Sequence, residues 1–99
     1  MEISSIPEAF QTSLRIAILS ALISGTKTFK DLKQITGATD GNLGAQLRKL
    51  EEFEYITVNK NFVKRKPQSS YTITKYGLKQ FKDYVNFLGS LLQNYDDEK

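Results

Sequence analysis

Two clusters of polar side chains in the middle of the chain are suited to binding a polyanion. The first combines amides, small residues and cations: Thr39, Gly41, Asn42, Ala45, Gln46, Arg48 and Lys49. The second is a set of cations in a segment without an acid: Lys60, Lys64, Arg65 and Lys66. Amide side chains pair with base edges, whereas lysine and arginine neutralise phosphates. These residue types indicate nucleic acid as a candidate partner.

The first cluster lies on the second of two short predicted helices. Thr28, with Asp31 three residues later, is typical of a helix start, and Gly37 is typical of a helix end. Thr39 or Asp40 would cap the next helix. Apolar residues then recur at steps of four, three and three, at Leu43, Leu47, Leu50 and Phe53. We expect a helix-turn-helix whose polar cluster faces outward, although the same residue types are also common on ordinary exposed helix faces.

The second cluster lies between two predicted β-strands. Alternating, β-branched segments predict strands at residues 55–58 and 70–73, and Pro67 stiffens the connection between them. With these strand bounds the connection, residues 59–69, is too long for a two-residue hairpin turn, so we expect a long basic loop. Such a hairpin can lie along a phosphate backbone or reach into a minor groove. The alternative is a solvated loop without a partner.

Both terminal segments predict amphipathic helices with more apolar surface than one small core can cover. The sequence Ser5-Ile6-Pro7-Glu8 is typical of a capping box and predicts a helix over residues 7–24, and Thr74 would cap a helix over residues 74–95. We expect a symmetric homodimer; the alternative is that the two helices pack on each other within one chain. The candidate interface residues are Phe10, Leu14, Phe81, Val85, Leu88, Leu92 and Tyr95.

Composition narrows the possible functions. A chain of 99 residues with 39% hydrophobic content can bury one modest core, so we expect a single domain over residues 1–99. The net charge is +3, but residues 27–66 hold nine cations against five acids, a net +4. Cysteine and histidine are absent, so we expect no cofactor and no metal, and nothing suggests an enzyme. Without a signal sequence or membrane-length apolar run, we expect a cytoplasmic protein with no membrane partner.

The predicted order of elements resembles that of winged-helix transcriptional regulators of the broad MarR and ArsR group. The resemblance is carried by TFKDLKQITGATDGNLGAQLRKLEEFEYI, residues 28–56, and FVKRKPQSSYTITKYGLKQF, residues 62–81. It implies an α+β, mostly helical fold. This fold would comprise a first helix at 7–24, a helix-turn-helix at 28–53, a two-stranded β-wing at 55–73 and a C-terminal dimerisation helix at 74–95.

The resemblance also implies a function. In such regulators the helix corresponding to residues 40–52 enters the major groove, and the wing contacts the backbone or the minor groove. A homodimeric, sequence-specific regulator that binds double-stranded DNA is therefore expected, with any small-molecule effector left open. Many relatives have serine and histidine at the positions of Gly44 and Gln46, which predicts a missing phosphate contact and a different base preference. The alternative is a module for protein contacts or RNA binding in a larger assembly, which would not need the run Lys64-Arg65-Lys66.

Overall fold

The computed structural model describes residues 1–97, which form four α-helices and a three-stranded sheet. Two short 3₁₀ turns, Ile3–Ser5 and Glu8–Phe10, come first. The longer elements follow in the order α1 (Ser13–Ile23), β1 (Lys27–Thr28), α2 (Phe29–Thr36), α3 (Asp40–Glu52), β2 (Ile56–Val63), β3 (Lys66–Ile73) and α4 (Lys75–Asp97). The sheet is antiparallel with strand order β1-β3-β2. The predicted winged helix-turn-helix is confirmed, with β1 as a third strand that the sequence did not indicate.

The first helix begins at Ser13 rather than at Pro7. The Ser5 hydroxyl bonds to the backbone of Glu2 instead of capping a helix, so the predicted capping box is wrong. Thr12 is the cap: its Oγ1 accepts from the Arg15 backbone N–H at 3.3 Å. The Arg15 side chain also bonds to the carbonyl oxygens of residues 8 and 9. Those carbonyls are therefore drawn to the guanidinium, which favours a 3₁₀ turn there over a continuous helix.

The helix-turn-helix follows the predicted capping pattern. Thr28 and Asp31 form a full capping box, with reciprocal bonds of 3.0 and 3.1 Å between side chain and backbone. These bonds from Thr28 hold the pKa of Asp31 below its usual value. Gly37 ends α2 with φ at 69°, which a glycine adopts without steric cost. Thr39 caps α3 by accepting from the Asn42 N–H at 3.2 Å.

The core holds α3 by its apolar stripe. Leu43, Leu47 and Leu50 are buried, as predicted, while Phe53 at the end of the helix is only half-buried. They belong to one cluster with the side chains that face them from α1, α2 and the start of β2, including Ile18, Leu19, Leu22, Leu32, Tyr55 and Ile56. Burial of each leucine contributes about 1.5 to 3 kcal/mol relative to exposure. The opposite face of α3 is thereby directed to solvent.

The wing is a regular hairpin rather than a long loop. Strands β2 and β3 pair along their whole length to Val63 and Lys66, leaving only Lys64 and Arg65 in the turn. These two residues have φ of 52° and 65°, as in the type I′ turn that suits the twist of two-residue hairpins. The predicted loop over residues 59–69 is therefore wrong. The usual signal for this turn is Asn-Gly or Asp-Gly, and Lys-Arg does not carry it.

Helix α4 starts at a close approach to the end of α3. The Thr74 hydroxyl accepts from the Gly77 N–H at 2.9 Å and donates to the Glu54 carbonyl at 2.8 Å. The helix then runs outward, and the molecule extends 59 Å along its longest axis. Among residues 1–97, no helix has the length and hydropathy of a transmembrane segment.

Substitution of Gly77 should test this close approach. A Cβ at Gly77 would lie 2.3 Å from the Tyr55 carbonyl oxygen, whereas a Cβ at Gly41, also in the first turn of a helix, meets nothing within 4 Å. We expect Gly77→Ala to lower the free energy of unfolding by about 1 to 3 kcal/mol or more. Gly41→Ala should be neutral or stabilising by up to about 1 kcal/mol. Urea denaturation measures both changes, and equal stability of the two variants would contradict the proposed clash.

Candidate nucleic-acid interface

The outward face of α3 presents the predicted polar cluster. Thr39, Gly41 and Asn42 are exposed in the first turn, and Arg48 and Lys49 are exposed further along. Ala45 and Gln46 are half-buried between them. The small side chains of Gly41 and Ala45 allow the helix backbone to approach a partner closely. This face has the composition that a helix needs in order to enter a major groove.

Gln46 is not a free side chain on this face. Its Oε1 accepts from Arg15 Nη1 at 2.6 Å, and its Nε2 donates to Asn42 Oδ1 at 3.2 Å. Arg15 itself is only 4% exposed and lies under α3. The sequence analysis assigned no role to Arg15. Its only signal was a charged residue among the apolar residues of the first predicted helix.

A groove separates α3 from the wing and has cations on both walls. Arg48 contributes to the α3 side and Lys60 to the β2 side of a space of 440 Å³. Gly44 also lines it, and a Cβ there would only touch the Arg48 guanidinium at 3.6 Å. Glu51 is the one acid among its lining residues in the structure of residues 1–97. A groove flanked by two cations is suited to a phosphate-bearing strand.

The wing carries four exposed cations. The ion pairs within residues 1–97 join Lys33 to Asp40, Lys49 to Glu8, and Lys79 to Asp83, so none of them uses the wing cations Lys60, Lys64, Arg65 and Lys66. Phe62 lies on the same strand as Lys60 and is 78% exposed. The sequence analysis did not single out Phe62. Phe62 therefore adds an exposed aromatic ring to the cationic surface of the wing.

The structure separates two cations that the sequence analysis grouped together. Lys49 lies 3.6 Å from the Glu8 carboxylate, toward the N-terminal 3₁₀ turn, whereas Arg48 lines the groove that faces the wing. The Lys49 charge is therefore partly balanced by Glu8. We retain Lys49 as a candidate phosphate contact only at the edge of the interface.

The candidate dimer residues divide into a buried and an exposed group. Phe10 is 4% exposed and stacks on Tyr84 at 4.5 Å, so it belongs to the core of its own chain and offers no surface to a partner. Leu14 and Phe81 are half-buried against the same core. The outer part of α4 is different: its apolar side chains are exposed, at Val85, Leu88, Leu92 and Tyr95.

The fold is that of a winged-helix domain, and this surface is its candidate nucleic-acid interface. A family model described as a winged helix DNA-binding domain matches residues 14–92, most of the chain. The chain therefore belongs to the winged helix DNA-binding domain family, and the resemblance noted from the sequence is confirmed.

The chain is also similar to individual proteins. An uncharacterized protein of Methanocaldococcus jannaschii is 34% identical over 89 residues, which cover 88% of this chain and 96% of that protein. A transcriptional regulator homologue from Pyrococcus horikoshii OT3 has a similar structure, with a TM-score of 0.78, 24% identity and coverage of 84% and 83% of the two chains. Bacillus subtilis PadR in complex with operator DNA gives a TM-score of 0.69 at 23% identity, over 75% of this chain and 48% of that one. At these identities the two structures show the shared fold.

The turn of the wing yields a prediction about stability. Each non-glycine residue held at positive φ costs about 1 kcal/mol or more, and asparagine and glycine reduce that cost. We expect the double substitution Lys64→Asn with Arg65→Gly to raise the free energy of unfolding by about 1 kcal/mol or more. Urea denaturation at high salt provides the measurement. Lys64→Gln with Arg65→Gln removes the same charges without relieving the turn, so a similar gain from this control would mean that charge repulsion, not backbone strain, is responsible.

Proposed function

We propose that this protein is a sequence-specific transcriptional regulator that binds double-stranded DNA as a homodimer. The observation that carries this proposal is the pairing of a polar, outward α3 face with a wing whose cations have no acidic partner within residues 1–97. A surface of this charge and shape matches a DNA duplex better than a neutral protein partner. Catalysis has no part in the proposal.

Helix α3 would lie in the major groove. Its first turn exposes Asn42, whose amide can pair with a base edge, and Thr39, whose hydroxyl lies beside it. The leucine stripe on the opposite face keeps the helix attached to the core while the groove accepts the polar side. A major groove of B-form DNA is wide enough for one helix, at about 12 Å.

The groove between α3 and β2 would hold one sugar-phosphate strand. Arg48 and Lys60 line this groove from two different elements, so a strand inside it would meet a cation on each side. The wing beyond this strand would then reach the neighbouring minor groove. There the exposed ring of Phe62 would contact the edges of the bases, since minor-groove binders often insert apolar side chains between base steps.

Dimerisation through the outer half of α4 would place two such surfaces side by side. Leu92 is 64% exposed and Val85 49% exposed, which is costly for an isolated helix but expected of a surface that a second chain covers. The spacing of Val85, Leu88, Leu92 and Tyr95 alternates three and four, as in a coiled-coil seam. Two-fold symmetry then implies a near-palindromic operator.

A binding titration tests the proposal directly. The protein should bind fragments of its source genome, especially the region upstream of its own gene, more tightly than random DNA at the same salt concentration. Titrations at several salt concentrations separate specific from non-specific binding. If no DNA binds even at low salt, the regulator proposal is wrong. A module for protein contacts or RNA binding then takes its place.

Removal of the wing cations should flatten the salt dependence of binding. The triple variant Lys64→Asn, Arg65→Gly, Lys66→Thr removes three charges and keeps residues that suit the hairpin. If all three contact phosphate in both subunits, the logarithmic slope of affinity against salt should fall by about five units per dimer, as an upper limit. Affinity should fall for operator and random DNA alike.

The control for this variant removes three cations from another surface. Lys75, Lys79 and Lys82 lie on α4 and are exposed. Their replacement by glutamine changes the net charge by the same amount, so it should alter the slope far less. Equal slopes for the two triple variants would show that the wing makes no special contact with phosphates.

Charged residues on the outer face of α4 should separate the dimer. Leu88→Glu with Leu92→Glu places two acids on the proposed seam, and both positions are exposed, so the chain should still fold. Sedimentation should give a dimer for the parent and a monomer for the variant. The monomer should also lose most of its operator affinity, because the parent would address two half-sites about 34 Å apart.

Asn86→Glu with Ser90→Glu is the matched control. Both positions are exposed on the side of α4 away from the proposed seam. This variant should remain a dimer with operator affinity close to that of the parent. A monomeric parent at micromolar concentration would overturn the dimer proposal and leave the winged-helix assignment intact.

A further inference from the structure

The buried guanidinium of Arg15 bonds only to neutral oxygens. Its Nε donates to the Ala9 carbonyl at 3.2 Å, its Nη2 to the Glu8 carbonyl at 2.7 Å and its Nη1 to Gln46 Oε1 at 2.6 Å. The residue is 4% exposed and has no carboxylate partner within residues 1–97. A buried charge without a counter-ion is costly. Its bond to Gln46, on the proposed DNA-binding face, points to a role beyond packing.

This guanidinium determines which way the Gln46 amide faces. An arginine side chain has donors and no acceptor, so Gln46 must turn its oxygen toward Arg15. The Gln46 amide nitrogen then faces Asn42 and donates to Asn42 Oδ1 at 3.2 Å. Asn42 is exposed at the start of α3. With its Oδ1 turned toward Gln46, its Nδ2 lies on the opposite side of the amide group, away from Gln46. The two bonds, from Arg15 to Gln46 and from Gln46 to Asn42, therefore turn the donor Nδ2 of Asn42 toward the outer surface.

We propose that Arg15 is a positioning residue that makes Asn42 a hydrogen-bond donor toward DNA and thereby selects against cytosine at one operator position. In the major groove guanine, adenine and thymine each present an acceptor, whereas cytosine presents only its amino donor. A fixed Nδ2 donor pairs with any of the first three bases and is left unsatisfied opposite cytosine. The inference rests on the proposed function and deepens it by naming the class of base that Asn42 accepts.

Gln46→Glu tests the orientation with almost no change in shape. The carboxylate keeps the bond to Arg15 but has no donor for Asn42. Asn42 must then turn its amide so that Nδ2 donates to Glu and Oδ1 faces outward. We expect the base preference at this one position to shift toward the amino donors of cytosine or adenine. The relative affinity for cytosine should rise about tenfold, the order of one hydrogen bond.

The measurement is competitive binding to an operator library in which each position carries all four bases. Gln34→Glu is the matched control, because Gln34 is exposed on α2. The substitution adds the same charge away from the Arg15–Gln46–Asn42 series of hydrogen bonds, which we call the relay. It should weaken binding to all sequences by a similar factor without changing base preference. A second variant, Gln46→Met, removes the relay without reversing it, so discrimination against cytosine should be lost rather than inverted.

The outcomes separate this inference from the function on which it rests. A change of preference confined to one position, reversed in Gln46→Glu and lost in Gln46→Met, supports the relay. If the parent binds its operator selectively and both variants keep its base preferences, the relay does not act on readout and this inference is wrong while the regulator proposal stands. If the parent binds no DNA at all, both fall.

Discussion

The junction around Tyr55 is the interaction on which the arrangement of the molecule depends. Its backbone N–H donates to the Leu50 carbonyl at 3.0 Å, which closes the end of α3, and its carbonyl accepts from Thr74 at 2.9 Å, which opens α4. Its ring meets Phe10 of the N-terminal turn at 5.7 Å and Tyr76 of α4 at 5.4 Å. Burial in this setting raises the pKa of the Tyr55 hydroxyl. One residue thus connects α3, the wing and α4.

This junction matters for function because it fixes the directions of α3, the wing and α4 relative to one another. In the proposed complex, α3 and the wing would have to reach adjacent grooves of one duplex, and α4 would set the distance between two such units. At Gly77 the helix backbone approaches the Tyr55 carbonyl so closely that no side chain fits between them. A small change of angle at this point would cause a large displacement at the far end of the molecule, which is 59 Å long. A close backbone contact outside the candidate interface therefore supports its geometry.

The sequence predicted the parts of the fold that local chemistry specifies. The helix cap at Thr28 and the left-handed Gly37 depend on residue types that favour helix ends, and both were found as predicted. The end of α3 could not be predicted in this way. There the left-handed position is Glu54, with φ at 65°, in a Schellman-type arrangement where glycine is the usual residue. Tertiary contacts of Tyr55 hold that conformation, and they are invisible to a local pattern.

The candidate site also has residues that residue type predicts and one that only the tertiary structure reveals. Side chains that are exposed on the surface, such as those of Lys64 and Asn42, could be named from residue type, although the turn that presents Lys64 could not. Arg15 could not be found, because its importance lies in a bond across 31 positions of sequence to Gln46. Amphipathic patterns assign a charged residue to the solvent face, yet here the charge lies inside, held by two carbonyls that a continuous first helix would have used. The broken start of α1 and the orientation of the α3 amides are therefore two effects of one buried guanidinium.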